Sequence, residues 1–353
     1  MQRVAGAMQQ AVWGRVRVGT RLNATHLKSE AVMRVFLPTM CALLAALLCA
    51  SAQSSEPTAS KAVLVTGASS GIGRKITEHL AAQGHLVYAT ARKEEDLKAL
   101  GAIKNVQPLR LDVTNPADIA AVVEAVTKGG RGLYGLVNNA GVATFGTIEK
   151  MRMEEFDLTM KVNVYGPVMM IKAFTPLIVA EKGRIVNIGS PSGITDGGGP
   201  DIAAYVMSKH AIEGLTDSLV LQLGPLGVQV SAVEPGAYRS EMDKNMLERL
   251  TEDEKANMLK VWGPPPDPMK FPEAAEVAIA VQQALFEANP KRRYLAIPRN
   301  AQDRMNARLP ERLIRYQMQQ LVRWNEGHSY TFDRAALIKM LDDALANARP
   351  RTE

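Results

Sequence analysis

The segment Thr66-Gly67-Ala68-Ser69-Ser70-Gly71-Ile72-Gly73 limits what this chain can fold into more than any other stretch. It follows an apolar run at 62–65 and precedes a helical pattern at 72–82. Glycines between a strand and a helix permit a tight turn. They also let the backbone approach a pyrophosphate, with the helix N-terminus facing the anion. The spacing is G-x-x-x-G-x-G and not the G-x-G-x-x-G of the standard fingerprint, so its place after a strand and before a helix carries the argument.

The rest of the chain repeats that alternation. Strands are expected at 86–90, 106–113, 133–137, 184–188, 228–233 and 293–297. Helices are expected at 94–100, 116–127, 153–180, 204–223 and 273–287. Strands separated by helices form βαβ units with right-handed crossovers. The fold class is therefore α/β, a single Rossmann-type doubly wound parallel sheet with helices on both faces. The domain spans 61–298 and includes a Met- and Pro-rich stretch, 239–270, that reads as a mobile flap. Residues 299–353 form a C-terminal helical extension with helices at 310–324 and 333–347.

Residues 53–60 read as a polar linker and 1–52 as a leader. The run 36–50, with Arg34 before it and Ala50-Ser51-Ala52 after it, has the parts of a secretory signal peptide. A short membrane anchor and an organellar transit peptide are the alternatives, and Met33 offers a second start that would make 1–32 an artefact. The leader implies export or membrane association, with membrane contact through 36–50; an artefactual leader implies a cytoplasmic protein. Most of the formal net charge of +6 lies here, where six basic residues face Glu30 alone. The remaining body is close to neutral, which gives no electrostatic reason to expect a nucleic-acid partner. Both cysteines, Cys41 and Cys49, are also in the leader, so the body has no disulfide framework or thiolate metal site. His26, His79, His85, His210 and His328 show no metal-ligand spacing, and no metal is expected.

Three further motifs bear on chemistry. The second strand ends Ala89-Thr90-Ala91-Arg92, with no acid to accept a ribose 2′-OH. Arg92, with Lys93 beside it, suits a 2′-phosphate, which favours NADP over NAD. Tyr205-Val206-Met207-Ser208-Lys209 sets a phenol and an ammonium one helical turn apart. A nearby cation is expected to lower the phenol's pKa and make it a usable proton donor and acceptor. Ser190 ends a strand, where doubly wound sheets place ligands, and its hydroxyl can bond a carbonyl oxygen on which charge develops.

Taken in order, these pieces resemble the short-chain dehydrogenase/reductase family. The matching parts are the turn 66–73, Asp112, Asn138-Asn139-Ala140-Gly141, Asn163, Ser190, Tyr205 with Lys209, and Pro235-Gly236. The resemblance covers about 61–298. It implies that Tyr205 is the catalytic acid/base and that Lys209 holds the ribose hydroxyls. It implies that Ser190 positions the substrate oxygen and that Asn163 holds a water linking Lys209 to a proton relay. The implied cofactor contacts are Gly67, Ser69, Ser70, Gly71, Ile72, Gly73, Arg92, Asp112, Val113, Asn139, Ala140, Gly141, Tyr205, Lys209, Pro235 and Gly236. Ser240 stands where the family usually has threonine. The stretch from Ser190 to Tyr205 is slightly long for the family, with Gly197-Gly198-Gly199 as the insertion, so Ser192 competes with Ser190 for the serine role. Family habit further implies a homodimer or homotetramer.

Within that resemblance the Ala-Thr-Ala-Arg strand end, the segment 233–240 and the tail beyond 300 look most like hydroxysteroid and retinol dehydrogenases. That implies NADP(H)-dependent interconversion of a lipophilic secondary alcohol and its ketone or aldehyde. Met242, Met246, Leu247, Leu250, Met258 and Trp262 either line an apolar pocket or simply pack the flap. An NAD-linked dehydrogenase of a smaller polar alcohol and a non-catalytic dinucleotide sensor are the competing readings.

Overall fold

A computed structural model describes residues 60–194, 201–264, 267 and 270–298. The strands are β1 (Ala62–Val65), β2 (Leu86–Ala91), β3 (Val106–Arg110), β4 (Gly135–Asn138), β5 (Arg184–Ile188), β6 (Gln229–Pro235) and β7 (Arg293–Ala296). They form one sheet of order β3-β2-β1-β4-β5-β6-β7, with every pairing parallel. The chain runs outward from β1 to β3, then returns to place β4 on the other side of β1. That reversal opens a crevice at the carboxyl ends of β1 and β4.

The five inner strands β2, β1, β4, β5 and β6 are buried on both faces, which is why they read as near-continuous apolar runs, while the edge strand β3 is partly exposed. Nine α-helices are described: α1 (Gly71–Ala82), α2 (Glu94–Gly101), α3 (Pro116–Lys128), α4 (Met153–Met160), α5 (Gly166–Ala180), α6 (Ala203–Leu223), α7 (Met242–Arg249), α8 (Glu252–Trp262) and α9 (Ala275–Phe286). Ile76 and Leu80 of α1, Leu100 of α2 and Val277, Val281 and Leu285 of α9 pack with Val63, Val65, Val87 and Val137 on one face. Ile119, Val122 and Val126 of α3, Met170 and Phe174 of α5, and Leu219 and Leu223 of α6 cover Leu64, Leu136 and Ile185 on the other. The doubly wound sheet expected from the sequence is the one found.

Three local expectations need correction. The strand expected to reach residue 113 stops at Arg110, because Asp112 turns the chain by accepting from the Thr114 N–H (2.9 Å) and hydroxyl (2.7 Å). The helix expected over 153–180 is interrupted by a π-turn at Lys161–Tyr165. Pro167 follows it and cannot donate an N–H to the carbonyl four residues back, which is that of Asn163. By length and composition Met153–Ala180 is apolar enough to cross a membrane. Its apolar residues Met170, Ile171, Phe174 and Ile178 are buried in the sheet's core, which accounts for that composition.

The third correction is the flap, which holds two helices, α7 and α8. Thr251 and Glu254 form a reciprocal capping box at the start of α8. Met246, Leu250 and Met258 bury themselves with Phe145, with Leu247 against them. Arg152 bonds Glu254 at 2.9 and 3.2 Å, while Arg249 bonds Glu155 (3.2 Å) and the Ala143 carbonyl. These contacts tie α7 and α8 to α4 and to the loop after β4. The leader 1–52, nearly all of the linker, the triglycine insertion and the extension beyond 298 lie outside the described residues.

Candidate active site

The crevice is built where two loops cross. Gly67 lies two residues past β1 with φ +65, and a Cβ there would meet the Ala140 Cα at 2.9 Å. Thr66 joins the loops: its hydroxyl accepts from the N–H groups of Asn139 and Ala140, both at 3.0 Å. The Asn139 side-chain amide donates to the Thr66 and Gly67 carbonyls at 2.9 and 3.0 Å. Gly73 lies so close to Gly67 O and Asn139 Nδ2 that a Cβ has no room. Gly71, at φ +54, lies 2.9 Å from the Ser240 Cβ by the same measure. Helix α1 then starts with Ser70 in extended conformation, no side-chain cap and no acid in its first turn. Its exposed N–H groups and dipole suit an anion.

Arg92, Asp112 and Val113 form the outer wall, past β2 and β3. Arg92 is exposed and is in no ion pair among the described residues. Burial by itself would raise the Asp112 carboxyl, yet Thr114's two hydrogen bonds and the charges of Arg92 and Arg110 bring it below its ordinary value. The Val113 side chain is core, packed against Gly166, so a ligand would meet its backbone. Pro235 and Gly236 end β6 on the inner side, where the Gly236 N–H bonds Ala296 O at 2.8 Å.

Ser190, Tyr205 and Lys209 converge between these walls. Ser190, past the end of β5, hydrogen-bonds the Tyr205 hydroxyl. Ser192 sits in the following tight turn and only its N–H approaches Ser190 Oγ, at 3.2 Å. The Lys209 ammonium lies 5.6 Å from the Tyr205 ring centroid and donates to Ile188 O at 2.9 Å. Asn163 reaches the group from the π-turn. Its amide donates to Val142 O (2.9 Å) and Ser208 Oγ (3.0 Å), and its Oδ1 accepts from the Val142 N–H at 2.8 Å. Ser208 in turn donates to Tyr205 O at 2.7 Å. The Asn163 side chain therefore fixes the loop after β4 and the turn of α6 that carries Tyr205.

The electrostatics differ from expectation. Burial pushes the Tyr205 phenol up; the Ser190 hydrogen bond works against this, and the charges of Glu234 and Asp243 add to it. The net shift is therefore upward and not the lowering expected from Lys209, whose ammonium donates to Ile188 O. Lys209 itself is pushed down to about 8 by burial, with Glu234 and Glu213 opposing.

Glu234 and Glu213 escaped the sequence reading as site residues. The available signal was a charged residue directly after the buried strand run Val230–Val233 and just before Pro235-Gly236. A second signal was an acid one helical turn beyond Lys209.

The sequence pattern of the short chain dehydrogenase family matches residues 61–251. The chain is 34% identical over 226 residues to the D-beta-hydroxybutyrate dehydrogenase, mitochondrial, of Mus musculus, covering 61% of this chain and 64% of that protein. It is 34% identical to the 11-beta-hydroxysteroid dehydrogenase type 2 of Ovis aries, covering 67% of this chain and 61% of that one. The chain thus spans less than two thirds of either relative. Among solved structures, a short chain dehydrogenase/reductase from Burkholderia phymatum in complex with NAD superimposes with TM-score 0.60 at 25% identity, covering 74% of this chain and 95% of that one. Actinorhodin polyketide ketoreductase with NADPH superimposes with TM-score 0.57 at 28% identity, covering 67% and 96%.

Proposed function

The chain belongs to the short-chain dehydrogenase family, and from that premise we propose an NADP(H)-dependent oxidoreductase that interconverts a lipophilic secondary alcohol and its ketone or aldehyde. The observation that carries the reading is the hydrogen bond between Ser190 and Tyr205, with the Lys209 ammonium beside the ring. The cradle at Gly67, Gly71 and Gly73, which a Cβ would fill, and the acid-free start of α1 fit a pyrophosphate. A bound nicotinamide dinucleotide supplies or accepts the hydride.

This chain's residues do the rest. Gly67 to Gly73 hold the pyrophosphate, Asp112 and Val113 meet the adenine, and Asn139, Ala140 and Gly141 shape the cleft. Pro235 and Gly236 face the nicotinamide, and Lys209 holds the ribose hydroxyls. Ser190 bonds the substrate oxygen. Tyr205 gives that oxygen its proton in reduction and takes it back in oxidation. A phenol held above its ordinary pKa stays protonated at neutral pH, which is the form that reduction requires. Asn163 holds the turn that delivers Tyr205 and, through a water, links Lys209 to solvent.

The choice of NADP rests on Arg92, an exposed cation at the end of a strand that carries no acid there. The lipophilic substrate rests on the sheep relative's name, that of a hydroxysteroid dehydrogenase. The mouse relative's name favours a second reading, oxidation of a small hydroxy acid, for which the NAD of the Burkholderia phymatum structure is the alternative cofactor. Its mitochondrial name also favours a compartment reached through a leader. A homodimer or homotetramer would cover the exposed Met207 and Leu221 of α6.

The test is a fluorescence titration of the purified protein with NADPH and with NADH, followed by turnover of a steroid ketone and of acetoacetate. Tighter NADPH binding and steroid turnover are expected. NADH preference with acetoacetate turnover would establish the second reading. Tyr205→Phe should lower turnover by on the order of 10²–10⁴ while leaving cofactor binding intact. Retained turnover would overturn Tyr205 as the acid/base.

A further inference from the structure

Behind Lys209, on the side away from the crevice, lies a group of buried charges that the reaction above does not use. Glu234 is 1% exposed in β6. Side chains of a strand alternate, and the register pairs Ala232 with Arg293 and Glu234 with Leu295, so Glu234 and Arg293 share one sheet face. Helix α6 covers that face and presents Lys209 and Glu213 one turn apart, both buried. The Glu234 carboxyl meets that of Glu213. It also lies against Gly189, where a Cβ would stand 2.7 Å from the carboxyl carbon, immediately before Ser190. Apart from Glu213, neither Glu234 oxygen has a hydrogen-bond partner among the described residues. Glu213 is bonded by Arg293 Nε and accepts Arg293 Nη2 on its backbone carbonyl at 3.2 Å. Asp217 faces Arg293 at 2.9 Å and Arg292 at 3.8 Å.

Two carboxyl groups in contact in a dry site cannot both ionise without large cost. We propose that Glu234 and Glu213 share one proton, and that Glu234 is a positioning residue whose charge balance keeps the Lys209 ammonium protonated and seated on Ile188 O. Burial and the Glu213 charge hold the Glu234 carboxyl well above the usual carboxylate range, with Arg293 and Lys209 opposing. As pH rises, the pair can release its proton and add a second negative charge beside Lys209, just where the ammonium would otherwise lose its own. The groups facing Lys209 are Tyr205 and Glu213 from its own helix and Glu234 from β6. Asp217, Arg292 and Arg293 lie behind the pair, and Asp243 of α7 acts on Tyr205 from the flap side.

The proposal rests on Lys209 as a cofactor ligand, and two readouts separate that assignment from the carboxyl pair itself. The first is infrared spectroscopy of the ligand-free protein at neutral pH. A protonated carboxylic acid band is expected in the parent, should be lost in Glu234→Gln, and should move in frequency in Glu213→Gln, where the hydrogen-bond partner changes. No such band in the parent, a band that survives in Glu234→Gln, or a band unmoved in Glu213→Gln would overturn the shared proton. The second is NADPH affinity, by fluorescence, from neutral to alkaline pH. Affinity should fall as Lys209 deprotonates, and in Glu234→Gln the midpoint of that fall should move to lower pH by on the order of one unit. Glu234→Asp, which can still ionise, should restore part of the shift. Coincident midpoints in Glu234→Gln and the parent would overturn the positioning role. A parent affinity with no alkaline fall, alongside an intact infrared band, would instead discard Lys209 as a ligand and leave the pair standing.

Discussion

Glycine at single positions sets the geometry of the crevice. Gly71 has φ +54, a region where a side chain costs roughly 1–2 kcal/mol. A Cβ there would also stand 2.9 Å from that of Ser240, at the start of the flap. Gly71→Ala should therefore fold but weaken NADPH and NADH binding together, because it deforms the anion cradle that both cofactors need. A loss confined to one cofactor in the same fluorescence titration would contradict this. Ser190 and Ser192 show a different residue-scale lesson. The sequence left both open, and only the fold of the turn at Pro191–Gly193 points the Ser190 hydroxyl at Tyr205 and directs the Ser192 N–H back toward it.

At the scale of elements, the flap is the place where the sequence pattern misleads. Met246 and Leu250 have helical spacing, but Leu250 ends α7 and Thr251 caps α8, so neither helix has an uninterrupted apolar stripe. Short charged helices of this kind are held by tertiary contacts more than by propensity. The anchor is Arg249, which joins α7 to Glu155 of α4 and to Ala143 after β4. Arg249→Ala should cost about 1–3 kcal/mol, the worth of charge-assisted hydrogen bonds around a buried acid, as measured by urea denaturation. Because the flap borders the crevice at Ser240, the same variant should raise KM more than it lowers kcat. Equal stability to the parent would show that Arg152, 3.7 Å from Glu155, suffices as its partner.

At the scale of the whole molecule, a buried lysine at the reaction centre sets function against stability. The native Lys209 ionises at about 8, against an ordinary value of 10.5. Below about pH 8 both native and unfolded chains hold this proton, and the native state bears the full cost of burying the charge. Between about 8 and 10.5 the unfolded chain binds the proton and the native chain does not, so this group's contribution to stability rises with pH. Lys209→Met should accordingly have a higher Tm than the parent at neutral pH, and the difference should shrink across that window. A lower Tm at neutral pH would mean that the bond to Ile188 O and the neighbouring acids outweigh the burial cost.

The sheet, the place of the glycine turn and the spacing of Tyr205 and Lys209 are legible in the residues alone. These depend on local period, turn chemistry and order along the chain, all of which a single sequence displays. It also marked the end of β2 as acid-free and put Arg92 there, because that is a matter of position. Which groups are dry and which face one another follows from packing between distant segments. Strand register brings Glu234 and Arg293 onto one face under α6, two positions far apart in sequence. The π-turn aims Asn163 at Val142 and Ser208, and burial reverses the expected direction of the Tyr205 shift. Desolvation and charge pairing depend on distances between distant segments, and those distances exist only once the sheet has closed over its helices.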